Sequence, residues 1–225
     1  MTVAGTPTRR MGSSTMPAPN FTVFVVDDDI SVRESLELLI RSVGWHPELF
    51  ASAQAFLDYP PGCFPSCAVL DISLPDLNGL ELQKRILSER PELPVIFVTG
   101  HGDVPKTVQA MKAGAVEFLT KPFSDEVLVG AIRQALERSR DSLAQKAEIR
   151  GLRDRYASLT RREQQVMELV VSGLLNKQVG GQLDISEITV KAHRGKVMSK
   201  MKANSLADLV RMAAKLRIGA PKNSA

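Results

Sequence analysis

From residue 21 onward the chain alternates short apolar runs with longer stretches of helical spacing. Thr22–Val26, Cys67–Leu70, Pro94–Thr99 and Glu117–Leu119 read as strands, with a weaker one at His46–Phe50. Helical spacing falls between them at about 30–43, 52–58, 79–90, 103–113 and 124–140. In the first helix Leu36, Leu38, Leu39 and Val43 are expected on the buried side, with Asp29 or Ser31 as its cap. Five strands alternating with five helices imply a doubly wound parallel sheet covered on both faces. The working crevice of such a sheet lies beyond the carboxyl ends of its strands.

The rest of the chain reads differently. Residues 1–20, rich in Thr, Ser, Gly and Pro, are expected to be a disordered tail. Arg9 and Arg10 are followed by no apolar segment, so an export signal is rejected. The charged stretch 136–158 reads as an extension of the fifth helix into a linker. Four helical patterns follow, at about 160–172, 176–183, 187–201 and 205–216, without strand signals. The expected division is a first domain over 21–138, a helical linker over 139–156, a second, all-α domain over 157–216 and a tail over 217–225.

Charge sharpens this division. The formal net charge is +4, yet residues 21–140 hold 11 Lys or Arg against 17 Asp or Glu, and residues 156–225 hold 12 against 5. Two modules with different partners are expected, and on charge alone the basic one suits either nucleic acid or a plain solvated surface. No uncharged apolar run approaches the ~18 residues of a membrane span. With two cysteines, Cys63 and Cys67, the chain is not a disulfide scaffold; free thiols are expected, with Cys67 partly buried, in a cytoplasmic protein.

The acidic module concentrates chemistry at its strand ends. Asp27, Asp28 and Asp29 follow the first strand, Asp71 the third, Thr99 ends the fourth and Lys121 lies past the fifth. Taken singly, an Asp after a strand is often a cap or turn residue, and Asp29 is assigned to the turn. Taken together they converge on one crevice. Neighbouring carboxylates repel unless a cation neutralises them, and hard oxygens suit Mg2+. Lys121 supplies a positive charge for a phosphate-like anion. Phosphoryl transfer to a carboxylate fits this combination.

The segments VVDDD, VLDISLPDLNG, VTGHG and AVEFLTKPF, with the spacing Asp71, Pro75, Gly79 and then Lys121-Pro122, resemble a response-regulator receiver domain. The resemblance implies a flavodoxin-like fold with Asp71 as phosphoacceptor. It implies Mg2+ held by Asp27, Asp28, Asp71 and the backbone carbonyl of Ser73. Thr99 and Lys121 would contact the phosphoryl group, Phe118 would be the switch aromatic, and the Lys121-Pro122 bond is often cis in this family. The implied partner is a sensor histidine kinase, and phosphorylation would drive homodimerisation, most readily through the fourth helix and fifth strand.

In the basic module Thr160 and Glu163 have the spacing of a capping box, and Ser186 is placed to cap the third helix. At 100° per residue Val190, Val197 and Met201 share one face of that helix, expected to meet the core. Ile188, Lys191, Ala192, Gly195 and Ser199 spread over the opposite side, flanked by His193, Arg194, Lys196 and Lys200 as candidate phosphate contacts. Two helices, a tight turn and a longer third helix form a helix-turn-helix arrangement, whose third helix enters the major groove. Ile188 either touches a thymine methyl or packs in the turn. The features LTRRE, NKQ, LDIS, TVKAHR and KMKA resemble a LuxR-type DNA-binding domain, with FixJ-like regulators of the FixJ/NarL group as the nearest pattern. Gly180, Gly181 and Gly195 depart from it, and interior helix glycines cost roughly 1 kcal/mol each relative to Ala, so a less stable module is expected.

The resulting expectation is a two-component response regulator, not an enzyme, whose phosphorylation at Asp71 promotes binding to double-stranded promoter DNA. Its relatives are mostly activators, so RNA polymerase is a further implied partner. The competing readings are a Mg2+-dependent phosphotransfer enzyme acting on small molecules, and a receiver with a protein- or RNA-binding output module.

Overall fold

The computed structural model describes residues 21–100 and 104–219. The expected tail at 1–20, the residues from 220 onward and the expected start of the fourth helix at 103 lie outside the described residues. The chain forms two compact units, 1–140 and 141–225.

In the first unit the elements run β1 (Thr22–Val26), α1 (Ile30–Ser42), β2 (His46–Phe50), α2 (Ala53–Leu57), β3 (Ser66–Asp71), α3 (Gly79–Glu89), β4 (Val95–Thr99), α4 (Val104–Lys112), β5 (Glu117–Thr120) and the start of α5 (Asp125–Ala157). The five strands form one parallel sheet in the order β2-β1-β3-β4-β5. Its central strands are buried on both sides, which is why they read as continuous Val, Ile, Leu and Phe rather than as an alternation. Successive side chains still part to opposite faces. Phe24, Val26 and Leu70 meet Phe56, Leu82, Ile86 and Ala110 from α2, α3 and α4. Val23, Val25 and Val69 meet Leu36 and Ile40 of α1 and Leu128, Ile132 and Leu136 of α5.

Asp29 caps α1, its carboxylate accepting from the Ser31 amide at 2.8 Å. Leu38, expected on the buried side of α1, is instead 72% exposed. At 100° per residue it lies about 200° round from Leu36, and Leu36 with Ile40 takes the core-facing stripe. Cys67 is wholly buried on β3, so burial pushes its thiol far up, while Cys63 is exposed; both are free.

The second unit contains the end of α5, then α6 (Arg161–Val171), α7 (Asn176–Leu183), α8 (Glu187–Met201) and α9 (Leu206–Leu216). Its core reaches back beyond residue 157: Leu152, on the last turns of α5, is 2% exposed and packs with Leu159, Met167, Val197, Met201, Leu209 and Ala213. Tyr156 donates its hydroxyl to Glu168 at 3.0 Å, and Arg155 donates to the Met201 carbonyl at 3.0 Å. Ile218, in the expected tail, also packs on this core. Among the described residues no helix is long and apolar enough to cross a membrane.

The three helix glycines are not equivalent. A Cβ on Gly180 would stand 2.7 Å from the Ile185 carbonyl oxygen, where α7 turns back through Asp184 in the left-handed region at φ 53°. Gly180 is therefore required by close approach, which corrects its reading as a plain propensity penalty. Nothing lies within 4 Å of a Cβ on Gly181 or Gly195. Gly181→Ala is expected to stabilise the second unit by about 0.5–1 kcal/mol. Gly180→Ala is expected to destabilise it by roughly 1–2 kcal/mol, because the backbone carbonyl cannot yield cheaply. Urea denaturation of fragment 141–219 reads both; an equal effect at the two positions would contradict the packing difference.

Candidate functional site

The order of the sheet reverses between β1 and β3, and the crevice opens at their carboxyl ends. The register Val26↔Leu70 sets Asp27, just past β1, beside Asp71, the last residue of β3. Both carboxylates are largely buried, Asp27 at 4% and Asp71 at 8% exposure, while Asp28 is exposed. Asp27 Oδ1 accepts from the Asp29 amide at 2.9 Å, and its carbonyl accepts from Arg33 at 2.7 Å. Lys121 Nζ pairs with Asp27 Oδ2 at 2.9 Å. Asp71 Oδ2 accepts from the Ser73 amide at 3.0 Å. Burial raises the Asp71 carboxyl above its ordinary value, and the Asp27 charge adds to this; Lys121 and the Ser73 and Ile72 amides oppose them.

Two further strand ends complete the crevice. Thr99 closes β4, is buried, and its carbonyl accepts from the Lys121 amide at 2.8 Å. The Lys121-Pro122 peptide is cis. Phe118 on β5 is half-buried with its ring 6.2 Å from that of Phe97. Gly79 opens α3 where a Cβ would stand 2.5 Å from the Asp71 carbonyl oxygen, so only glycine lets the helix start so close to the site.

The Asp27 and Asp71 carboxylates share one nearby ammonium, that of Lys121, which leaves an excess of negative charge at the strand ends. Among the described residues no three His, Cys, Asp or Glu side chains close into a ready-made metal cage.

In the second unit α8 separates its faces as expected. Val190, Val197 and Met201 are buried, and Ile188, Lys191, Ala192, Gly195, Lys196 and Ser199 are exposed, Ile188 at 80%. Ser186 caps the helix through the Thr189 amide at 3.1 Å. The half-buried Arg194 donates to Asn176 Oδ1 at 3.1 Å, tying α8 to the start of α7, and the half-buried His193 has a buried Nδ1 without a hydrogen-bond partner. Lys200 departs from its expected role. Its ammonium pairs at 2.7 Å with Glu163, which is 3% exposed and closes a capping box with Thr160. A lysine that neutralises a buried carboxylate serves the fold, and it is withdrawn from the candidate phosphate contacts. The pairing was invisible in the sequence because 37 residues separate the partners. Sequence reasoning likewise gave no role to Arg33 or to Asp76, whose carboxylate reaches α2 from the loop after β3; nothing in their local sequence distinguishes them from ordinary surface charges.

An acidic crevice at the switch point of a five-stranded parallel sheet, on one chain with a helix-turn-helix unit, defines a receiver domain joined to a DNA-binding output. Residues 23–133 match the response regulator receiver domain, and residues 157–213 match the bacterial regulatory proteins of the luxR family. Nodulation protein W of Bradyrhizobium diazoefficiens is 48% identical over 212 residues, covering 94% of this chain and 93% of that one. Transcriptional regulatory protein FixJ of the same organism is 45% identical over 191 residues, covering 85% and 93%. Among solved structures, response regulator StyR has 45% identity and a TM-score of 0.78 over 87% of this chain and 99% of that one. The chain belongs to the response regulators that join a receiver to a LuxR-type DNA-binding domain, and it acts in regulating transcription.

Proposed function

We propose that Asp71 is the phosphoacceptor and that its modification by a sensor histidine kinase controls DNA binding. The observation that carries this is the convergence of Asp27 and Asp71 on adjacent strand ends, with Lys121 bonded to Asp27 at 2.9 Å. One Asp71 carboxylate oxygen attacks the phosphorus of a phosphohistidine; the new P–O bond forms as the P–N bond breaks and the imidazole leaves. Asp27, Asp28, Asp71 and the Ser73 carbonyl fit Mg2+, which when bound neutralises charge between carboxylates and phosphoryl oxygens. Lys121 then exchanges its bond with Asp27 for one to the phosphoryl group, and Thr99 donates its hydroxyl to the same group. Phosphorylation adds charge and acceptor oxygens, and this biases a two-state element. Phe118 is the adjacent aromatic; with no hydroxyl its position is decided by packing.

The dimerising surface is assigned to α4 and β5. Val104, Val108 and Met111 are exposed on α4 at a spacing that puts them in one stripe. Pairing would present two α8 helices to a pseudo-palindromic promoter site. Ile188, Lys191, Ala192, Gly195 and Ser199 face the major groove, with Lys196, His193 and Arg194 towards the backbone. Activation through RNA polymerase is the regulatory outcome favoured, and the protein turns over no free substrate.

Selection from random duplex DNA, with and without acetyl phosphate and Mg2+, tests this reading. A two-fold symmetric site enriched with the phosphodonor is expected, with affinity falling steeply as salt rises. Enrichment of no sequence would exclude the DNA-binding assignment, and an identical site and affinity without donor would remove Asp71 as the gate.

A further inference from the structure

The Asp76 side chain ties the loop between β3 and α3 to α2. The Asp76 carboxylate accepts from the backbone amides of Ala53 at 3.2 Å and Gln54 at 2.9 Å, on the opening turn of α2. Ser52 Oγ takes the next amide, that of Ala55, at 3.2 Å. The segment before α2 is in turn joined to the end of β1, because the Asp27 amide donates to the Phe50 carbonyl at 3.2 Å. The backbone of residues 50–54 therefore links Asp27, hydrogen-bonded at one end, to Asp76, hydrogen-bonded at the other. Further ties lie at its base: the Ser73 amide on Asp71, and the Gly79 amide on the Ile72 carbonyl at 3.0 Å. Ile72 and Leu74 sink into the core while Ser73, Pro75 and Asp76 are exposed.

The geometry points to Asp76 as a positioning residue: through α2 it fixes the Ser73 carbonyl relative to Asp27 and Asp28, and so sets the affinity of the site for Mg2+. This rests on the reading of the acidic crevice as a Mg2+-supported phosphoacceptor site. Mg2+ demands near-ideal octahedral placement of its ligands, so a loop free to drift costs affinity. Both Asp76 oxygens act as acceptors. An Asn would offer one oxygen and turn its NH2 towards an amide that also donates. The backbone amides, Gln54 foremost, hold the Asp76 carboxyl below its ordinary value, so it stays ionised at neutral pH.

Calorimetric titration of the full chain with MgCl2, without phosphodonor, tests this. Asp76→Asn and Asp76→Ala are expected to weaken Mg2+ binding about tenfold, as lost outer partners of metal ligands do. The loss should persist in about 0.5 M KCl, where the long-range effect of one missing charge is screened. Ser52→Ala strips another cap from the same helix and should leave Mg2+ affinity within about twofold, even where it lowers Tm. The Mg2+ concentration for half-maximal labelling by acetyl phosphate should rise by the same factor in the Asp76 variants, with the rate at saturating Mg2+ kept. Asp76 variants that bind Mg2+ like wild type, whatever their Tm, would overturn the proposal. So would a loss that vanishes in salt, or an equal loss in Ser52→Ala. Wild-type protein that binds no Mg2+ would overturn the underlying reading of the crevice as well, which separates the two failures.

Discussion

Replacing Asp71 by Asn is expected to lower phosphoryl incorporation from acetyl phosphate by roughly a hundredfold or more, because an amide is not a competent nucleophile. The donor-dependent gain in DNA affinity should vanish with it. The fold should persist: Asn has the same shape, and its carbonyl can still accept from the Ser73 amide that now bonds Asp71 Oδ2 at 3.0 Å. Burial and the Asp27 charge both disfavour an ionised Asp71, so a neutral side chain there should melt no lower than wild type when Mg2+ is absent. Acid-labile label retained on the Asn variant would place the phosphoacceptor elsewhere. Loss of label together with a collapse in Tm would make the variant uninformative about chemistry; labelling after Asp28→Asn, at an exposed position outside the core, then serves as the second reading of the crevice. A strong fall in Mg2+-dependent labelling is expected there too.

The second large effect concerns Leu152. Leu152→Ala in fragment 141–219 is expected to cost about 3 kcal/mol, the transfer loss plus the cavity left at a 2% exposed site. Domains hold roughly 0.05–0.15 kcal/mol per residue, so this is a large share of what so small a unit possesses. Tm should fall by roughly 15 °C. A fragment beginning at residue 157 discards Leu152 along with Tyr156 and Arg155, and should melt lower still. A Leu152→Ala fragment melting within a few degrees of its parent would put the physical boundary at the end of α5 instead. The predicted boundary at 157 follows the helix-turn-helix pattern; the core follows van der Waals contact and begins a full turn earlier, on a helix that the sequence marks as a charged linker.

Much of the acidic crevice was readable in advance. Asp27, Asp71, Thr99 and Lys121 each sit at the end of a strand that a short apolar run announces, and a parallel sheet brings such ends together. The faces of α8 were readable for the same reason, since a 100° step is fixed by helix geometry whatever surrounds it. The caps at Asp29, Thr160 and Ser186 were local too: each side chain bonds an amide two or three residues away.

What failed to show were relations between residues distant in sequence. Lys200 carries the same charge as Lys196, one turn earlier, yet only Lys200 meets a buried carboxylate. Gly180 and Gly181 are neighbours of one type, and only the first meets a carbonyl from the far side of a turn. Asp76 reads as a turn residue until α2 is placed beside it, 22 residues back along the chain.

The sequence by itself determined the two modules, the parallel sheet, the acidic strand ends and the exposed side of α8, because periodicity, turn chemistry and charge act over a few residues. Only the tertiary structure decided that Leu38 lies outside and Leu152 inside, that Lys200 serves Glu163, that Gly180 cannot be replaced cheaply and that Asp76 ties the loop after β3 to α2. Each of those outcomes depends on which surfaces come within about 4 Å of one another, and local pattern carries no record of that distance.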